Sequence, residues 1–152
     1  MLADEALPSW IVDELAAFER AVLAQAPPGA VLIGASVSPD GKYGAALTLL
    51  PSANYLMDDA FFRTEDEWDI YGGGNGGGLS WTLLREEGDR GVLRYSDEAP
   101  EGASIARIRY EGLELRVPVR HGHFLFVAWD ASSDDRPSVD GFDWTPNLKE
   151  HS

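Results

Sequence analysis

The sequence predicts a mainly β fold: a single-domain antiparallel β-sandwich, immunoglobulin-like, or a barrel, preceded by one N-terminal amphipathic helix. Three observations carry that expectation. An apolar stripe with helical spacing is confined to the first 25 residues. After Gly29 the apolar period shortens to two, and extended segments alternate with turns rich in Gly, Pro, Asp and Ser, at the roughly 8–12-residue interval of all-β domains. The chain also has one-domain length, 152 residues with 44% hydrophobic and 11% aromatic residues, enough to bury a core without disulfides. The expected organisation is a helical 1–29 packed on the body, a sandwich over 30–130 and a polar tail over 131–152. That tail carries Val139, Phe142 and Trp144, with which it docks back.

The helix comes first. Leu7, Ile11, Leu15, Phe18 and Val22 recur at spacings of four, four, three and four, which places them on one face. Ser9 can cap it, Asp13 and Glu14 lie near the start favoured by the helix dipole, and Pro27-Pro28-Gly29 ends it. The spacing predicts a helix over 9–25. Segments 30–37 and 43–50 then flank Ser38-Pro39-Asp40-Gly41, a hairpin turn in which Pro presets φ and Gly permits a positive one. Residues 51–67 read as strand or as short helix, 68–71 as a short strand. Segments 79–84 and 91–95 form a second hairpin around the charged 85–90, and 96–102 is a polar loop.

The clearest region is a three-strand meander over 103–110, 113–119 and 124–129, joined at Glu111-Gly112 and His121-Gly122. It resembles the closing hairpins of many small sandwich domains, which specifies fold and not function. Two-residue loops fix the register. Tyr110 then faces Leu113, Ile108 faces Leu115, Ala106 faces Val117, Phe124 faces Val119, Phe126 faces Val117 and Ala128 faces Leu115. This face is the core. The opposite face gathers Arg107, Arg109, Glu114, Arg116, Leu125, Val127 and Trp129. It places Arg109 beside Glu114 and Arg107 beside Arg116, and it is too apolar to stand bare. The N-terminal helix is the expected cover, with the acidic 58–69 segment or the tail, or a ligand or partner, as the alternatives.

Charge narrows the function. Lys and Arg number 12 against 26 Asp and Glu, a net charge of −14. That excludes the usual nucleic-acid binder and docking on anionic lipid. The excess is uneven: residues 1–84 hold three basic and twelve acidic residues, 85–120 seven and eight. The longest apolar run, 124–129, is far shorter than the roughly 20 residues of a spanning helix. With no cysteine and no basic leader at the start, the expected location is cytoplasmic.

Catalytic and cofactor signals are weak. Gly72, Gly74 and Gly77 spell G-x-G-x-x-G, but a strand-like 79–84 follows where a dinucleotide site needs a helix. The run reads instead as a glycine-rich hairpin tip. His121 and His123 offer two imidazoles to a metal, with His151, Asp130, Asp134 and Asp135 as further donors; the turn explains both histidines without one. Asp134, Asp135, Asp140 and Asp143 lack calcium-loop spacing, and no nucleophile motif is present. No metal and no cofactor are assigned.

The reading is a non-enzymatic acidic protein-interaction domain that engages a basic protein partner, immunity- or inhibitor-like. Its candidate contact residues are Asp58, Asp59, Glu65, Asp66, Glu67 and Asp69. The alternative is small-molecule or carbohydrate binding, or a small hydrolase, around the aromatics beside the glycine run: Trp68, Tyr71, Asn75 and Trp81.

Overall fold

The computed structural model describes residues 9–65, 67–75, 77–84 and 90–144. It is mainly β, with one helix and two antiparallel sheets. The chain divides into two compact units, Met1–Gly76 and Gly77–Ser152, so the boundary falls inside the glycine run.

The first unit holds α1 (Ser9–Gln25), β1 (Val31–Val37), β2 (Tyr43–Leu50), β3 (Tyr55–Thr64) and β4 (Glu67–Asn75), with the strands in that order in one sheet. The helix has the predicted bounds. The β1–β2 turn is built as the sequence implies: the Ser38 hydroxyl donates to Asp40 at 2.6 Å, the Lys42 and Tyr43 amides donate to Asp40 and Ser38, and Gly41 takes φ +75°. The ambiguous 51–67 stretch resolves into a 3₁₀ turn at Pro51–Ala53 and then β3. β4 is longer than expected. Its Gly72, Gly73 and Gly74 pair with Ala60, Asp59 and Asp58 of β3. That half of the glycine run is therefore a hydrogen-bonded strand and not a hairpin tip.

Phe18 and Val22 bury the helix stripe against Ala46, Phe61 and Trp68. The Phe18 ring stands edge-on to Phe61 at 5.2 Å and tilted against Trp68 at 4.7 Å. It fits because Gly44, opposite Phe61 in the β2–β3 register, offers no side chain: a Cβ there would lie 2.5 Å from the ring. Burying one such ring contributes about 1.5–3 kcal/mol. The helix thus covers the first sheet, a partner that the sequence reading did not name for it. An apolar stripe states that a partner face exists; it does not say which sheet supplies it.

The second unit holds β5 (Gly78–Leu83), β6 (Arg90–Glu98), β7 (Ile105–Tyr110), β8 (Leu113–Arg120), β9 (His123–Ser132) and β10 (Ser138–Asp143), in the order β10-β7-β8-β9-β6-β5. The β7–β8 register is the predicted one, from Tyr110↔Leu113 to Ala106↔Val117. Both linking turns place two residues at positive φ, Glu111 and Gly112, then His121 and Gly122, as a tight primed turn requires. The β8–β9 pairing begins as expected at Val119↔Phe124 and then ends, while along its other edge β9 pairs with β6 throughout, Phe126 with Tyr95 and Ala128 with Leu93. The predicted pairs Phe126–Val117 and Ala128–Leu115 do not form. The reason is curvature. Phe124 and Phe142 lie on strands three apart, about 14 Å in a flat sheet, yet their rings are 6.1 Å apart. The sheet folds over at β8/β9, and its halves β10-β7-β8 and β9-β6-β5 face each other in a sandwich-like arrangement.

Between those halves lies the core: Leu93, Ala106, Ile108, Phe124, Phe126, Ala128 and Ala131, with Trp81, Leu115, Val139 and Phe142 packed on it. Of the apolar face predicted for the meander, Ala106, Ile108, Phe124, Phe126 and Ala128 are buried and Leu115, Val117 and Val119 half-buried, whereas Leu113, at the β7–β8 turn, is 62% exposed. Neither sheet closes into a barrel, since β1 and β4, and β10 and β5, remain edges. The strand β10, read from sequence as polar tail, also answers the charge conflict on β7. Arg109 donates to Asp140 at 2.8 Å, Arg107 stands 3.3 Å from Asp143, and Glu114 lies within 4.0 Å of both arginines.

A candidate partner-binding groove

In the first unit the end of α1 runs beside β4. Ala21, Ala24 and Gln25 on the helix and Glu67, Trp68 and Asp69 on the strand line an open groove of about 370 Å³. That volume is at the low end of the about 300–1,000 Å³ typical of ligand pockets, and suits one or two side chains of a partner. It exists because of residue size. Ala21 and Ala24 sit three apart on one helix face and send nothing into the space, while Trp68 supplies an apolar floor anchored on Phe18. The Gln25 side-chain amide donates to the Trp68 carbonyl at 2.7 Å and ties the helix end to the strand.

The rim is acidic. Glu65, Glu67 and Asp69 are exposed. Asp69 accepts one hydrogen bond, from the Thr64 hydroxyl at 3.0 Å, which fixes its carboxylate at the strand end. The basic residue of this stretch, Arg63, is already engaged. Its guanidinium pairs with Glu14, its Nε donates to the Glu65 carbonyl at 3.1 Å, and its Cζ lies 5.7 Å from the Trp68 ring centroid. The first unit holds three basic against twelve acidic residues, and the Arg63–Glu14 ion pair among its described residues does not involve Glu67.

The residues singled out from sequence are therefore divided. Glu65, Glu67 and Asp69 share the exposed β3–β4 end; Asp66 lies outside the described residues. Asp58 does not join them. It sits in mid-strand opposite Leu47 and is 2% exposed, while Asp59 is half-buried. A run of acids in a strand alternates between faces, so only part of it meets solvent. Of the aromatic set, Trp68 is a core residue of the first unit. Trp81 belongs to β5 in the second, where its indole N–H donates to the Ala131 carbonyl at 3.0 Å. Tyr71 and Asn75 are placed in β4 by the backbone; their side chains lie outside the described residues. The helical half of the groove escaped the sequence reading. Its only trace was the small pair Ala21 and Ala24 flanking the apolar stripe.

The remaining polar clusters are structural. His123 is buried, and its Nδ1–H donates to the His121 carbonyl at 3.0 Å across the turn; His151 lies outside the described residues. Asp135 accepts the Tyr110 hydroxyl at 2.6 Å and the Ser132 amide at 3.1 Å, and so closes the β9–β10 connection. The Tyr110 hydrogen bond, followed by the Ser132 amide, holds the Asp135 carboxyl below its usual range. Burial first, then Asp135, pushes the Tyr110 hydroxyl up. Among the described residues no three metal-ligating side chains converge, and no helix is long and apolar enough to cross a membrane. Family models, curated proteins and solved structures give no match to this chain.

Proposed function

We propose that the chain is a non-enzymatic acidic interaction module whose first unit receives a basic segment of a protein partner in the α1/β4 groove, in the manner of an immunity protein or an inhibitor. One observation carries the reading: an open, apolar-floored groove whose strand side presents the exposed Glu67 and Asp69. A basic segment at the strand edge suits both parts, with methylene stems against Ala21, Ala24 and Trp68 and charged heads at Glu67 and Asp69, which alternation sets on the other face of β4 from Trp68. A sugar platform needs a free aromatic face, whereas the Trp68 ring meets Phe18 and the Arg63 guanidinium and the Trp81 N–H is spent on Ala131. The packing thus favours a protein partner over a carbohydrate.

The experiment is a titration with a fluorescent lysine-rich peptide at low and high ionic strength, repeated with Glu67→Lys/Asp69→Lys. Binding is expected to weaken as salt rises, because rim charges are screened within about 10 Å at 0.1 M. The double reversal is expected to lower affinity about tenfold, about 1.4 kcal/mol. Salt-independent binding, or equal affinity of the reversed chain, refutes the proposal.

A further inference from the structure

Resting on that reading, we infer how the basic segment is held: it adds as an extended strand to the outer edge of β4. The edge is long. β4 runs nine residues, Glu67–Asn75, and ends the sheet order β1-β2-β3-β4; among the described residues no strand pairs with its other side. Its backbone already takes a donor from outside the sheet, the Gln25 amide on the Trp68 carbonyl. Gly72, Gly73 and Gly74 offer three successive backbone units with no side chain to hinder an incoming chain. Glu67, Trp68 and Asp69 of this strand line the groove, and the next residue, Ile70, is 53% exposed.

Edges of this kind are normally guarded by lysine, proline or a covering element, because they template pairing with another chain. Here the charges that β4 itself carries, Glu67 and Asp69, are carboxylates, and the neighbouring Arg63 is paired with Glu14, so the guard is selective. It repels a second copy, whose β4 brings the same acids, and admits a basic strand. Strand addition draws affinity from main-chain hydrogen bonds and specificity from alternate side chains. Residues of the segment then alternate between the groove face, over Ala21, Ala24 and Trp68, and the opposite face, where a lysine meets Glu67 and Asp69.

The test compares three probes of equal charge against the full chain: an octapeptide of alternating lysine and threonine, and the same peptide N-methylated on either of its two backbone edges. N-methylation removes the donors of one edge and leaves the side chains intact. The unmodified peptide and one methylated form are expected to bind alike. The other is expected to lose at least about tenfold in affinity, while amide exchange at Gly72–Gly74 slows when the binding forms are added. Equal binding of all three overturns strand addition and leaves the acidic groove standing. Binding by none overturns both. A chain that dimerises through β4 without peptide, detected by sedimentation, overturns the selectivity argued from charge.

Discussion

Replacing Gly44 by alanine tests the packing that seats α1. The new methyl carbon would lie 2.5 Å from Cε1 and Cζ of Phe18 and 3.0 Å from Cδ1, against about 3.5–4.0 Å for unstrained carbon contacts. The overlap is about 1 Å. The ring has no free direction of escape, since Phe61 stands at 5.2 Å, Trp68 at 4.7 Å, and the side chain is 0% exposed. The helix must therefore lift or Phe18 must leave its rotamer, a cost of about 1–3 kcal/mol. For a unit of this size each kcal/mol lowers the midpoint by about 4–8 °C. Thermal unfolding followed at the helical circular-dichroism band reads the effect, because α1 is the one helix of more than a single turn among the described residues. Phe18→Leu removes the clashing ring edge, so Gly44→Ala is expected to cost at least about 1 kcal/mol less in that background than alone. Strict additivity, or an unchanged midpoint for Gly44→Ala, refutes the argument.

Other outcomes follow from the second unit. Tyr110→Phe removes the 2.6 Å bond to Asp135 and is expected to cost about 1 kcal/mol at neutral pH, read by urea unfolding. The same change has a pH signature. The Tyr110 hydroxyl is pushed up in the folded chain, so its contribution is intact below about pH 10 and is lost as pH rises past it. The Asp135 carboxyl is pushed down, so its contribution is present above about pH 4 and is lost as pH falls. Tyr110→Phe should flatten both limbs of the stability profile, and an unaltered profile counts against the pairing. Glu111→Asn and His121→Asn relieve non-glycine residues at φ 51° and 52°; each is expected to raise stability by about 0.5–1 kcal/mol, measured by denaturation midpoint. Gly91→Ala drives a methyl into the Thr82 carbonyl oxygen. It is expected to cost about 2 kcal/mol or more, and an unchanged denaturation midpoint refutes the close β5–β6 approach.

The parts of the fold that are written locally could be read from sequence. The Ser38-Pro39-Asp40-Gly41 turn, the two positive-φ pairs and the β7–β8 register are set by residues adjacent in the chain. β10 was illegible because a bulge between Val139 and Gly141 breaks the period. Val139 and Phe142 both reach the core although three residues apart, which alternation forbids in a regular strand. The glycine half of β4 has no side chains and hence no pattern to read. The departure of β9 from β8 was hidden for the opposite reason, since Phe124, Leu125 and Phe126 are all buried and both faces are apolar. At the site, the acids stood out as a run, but which of them is buried depends on strand phase. The groove itself arises only when Ala21 and Ala24 pack beside Trp68, a tertiary event with little local signature.

The central claim is that the first unit's α1/β4 groove is where a basic segment lands. Backbone amide chemical shifts of the isotope-labelled chain, followed while the lysine–threonine octapeptide is added, test it most directly. The expected result is that the largest changes fall on Ala21, Ala24, Gln25 and Glu67 to Ile70, and shrink when salt is raised. Changes concentrated instead on β7, β8 or β10, or spread evenly over the chain, would contradict it.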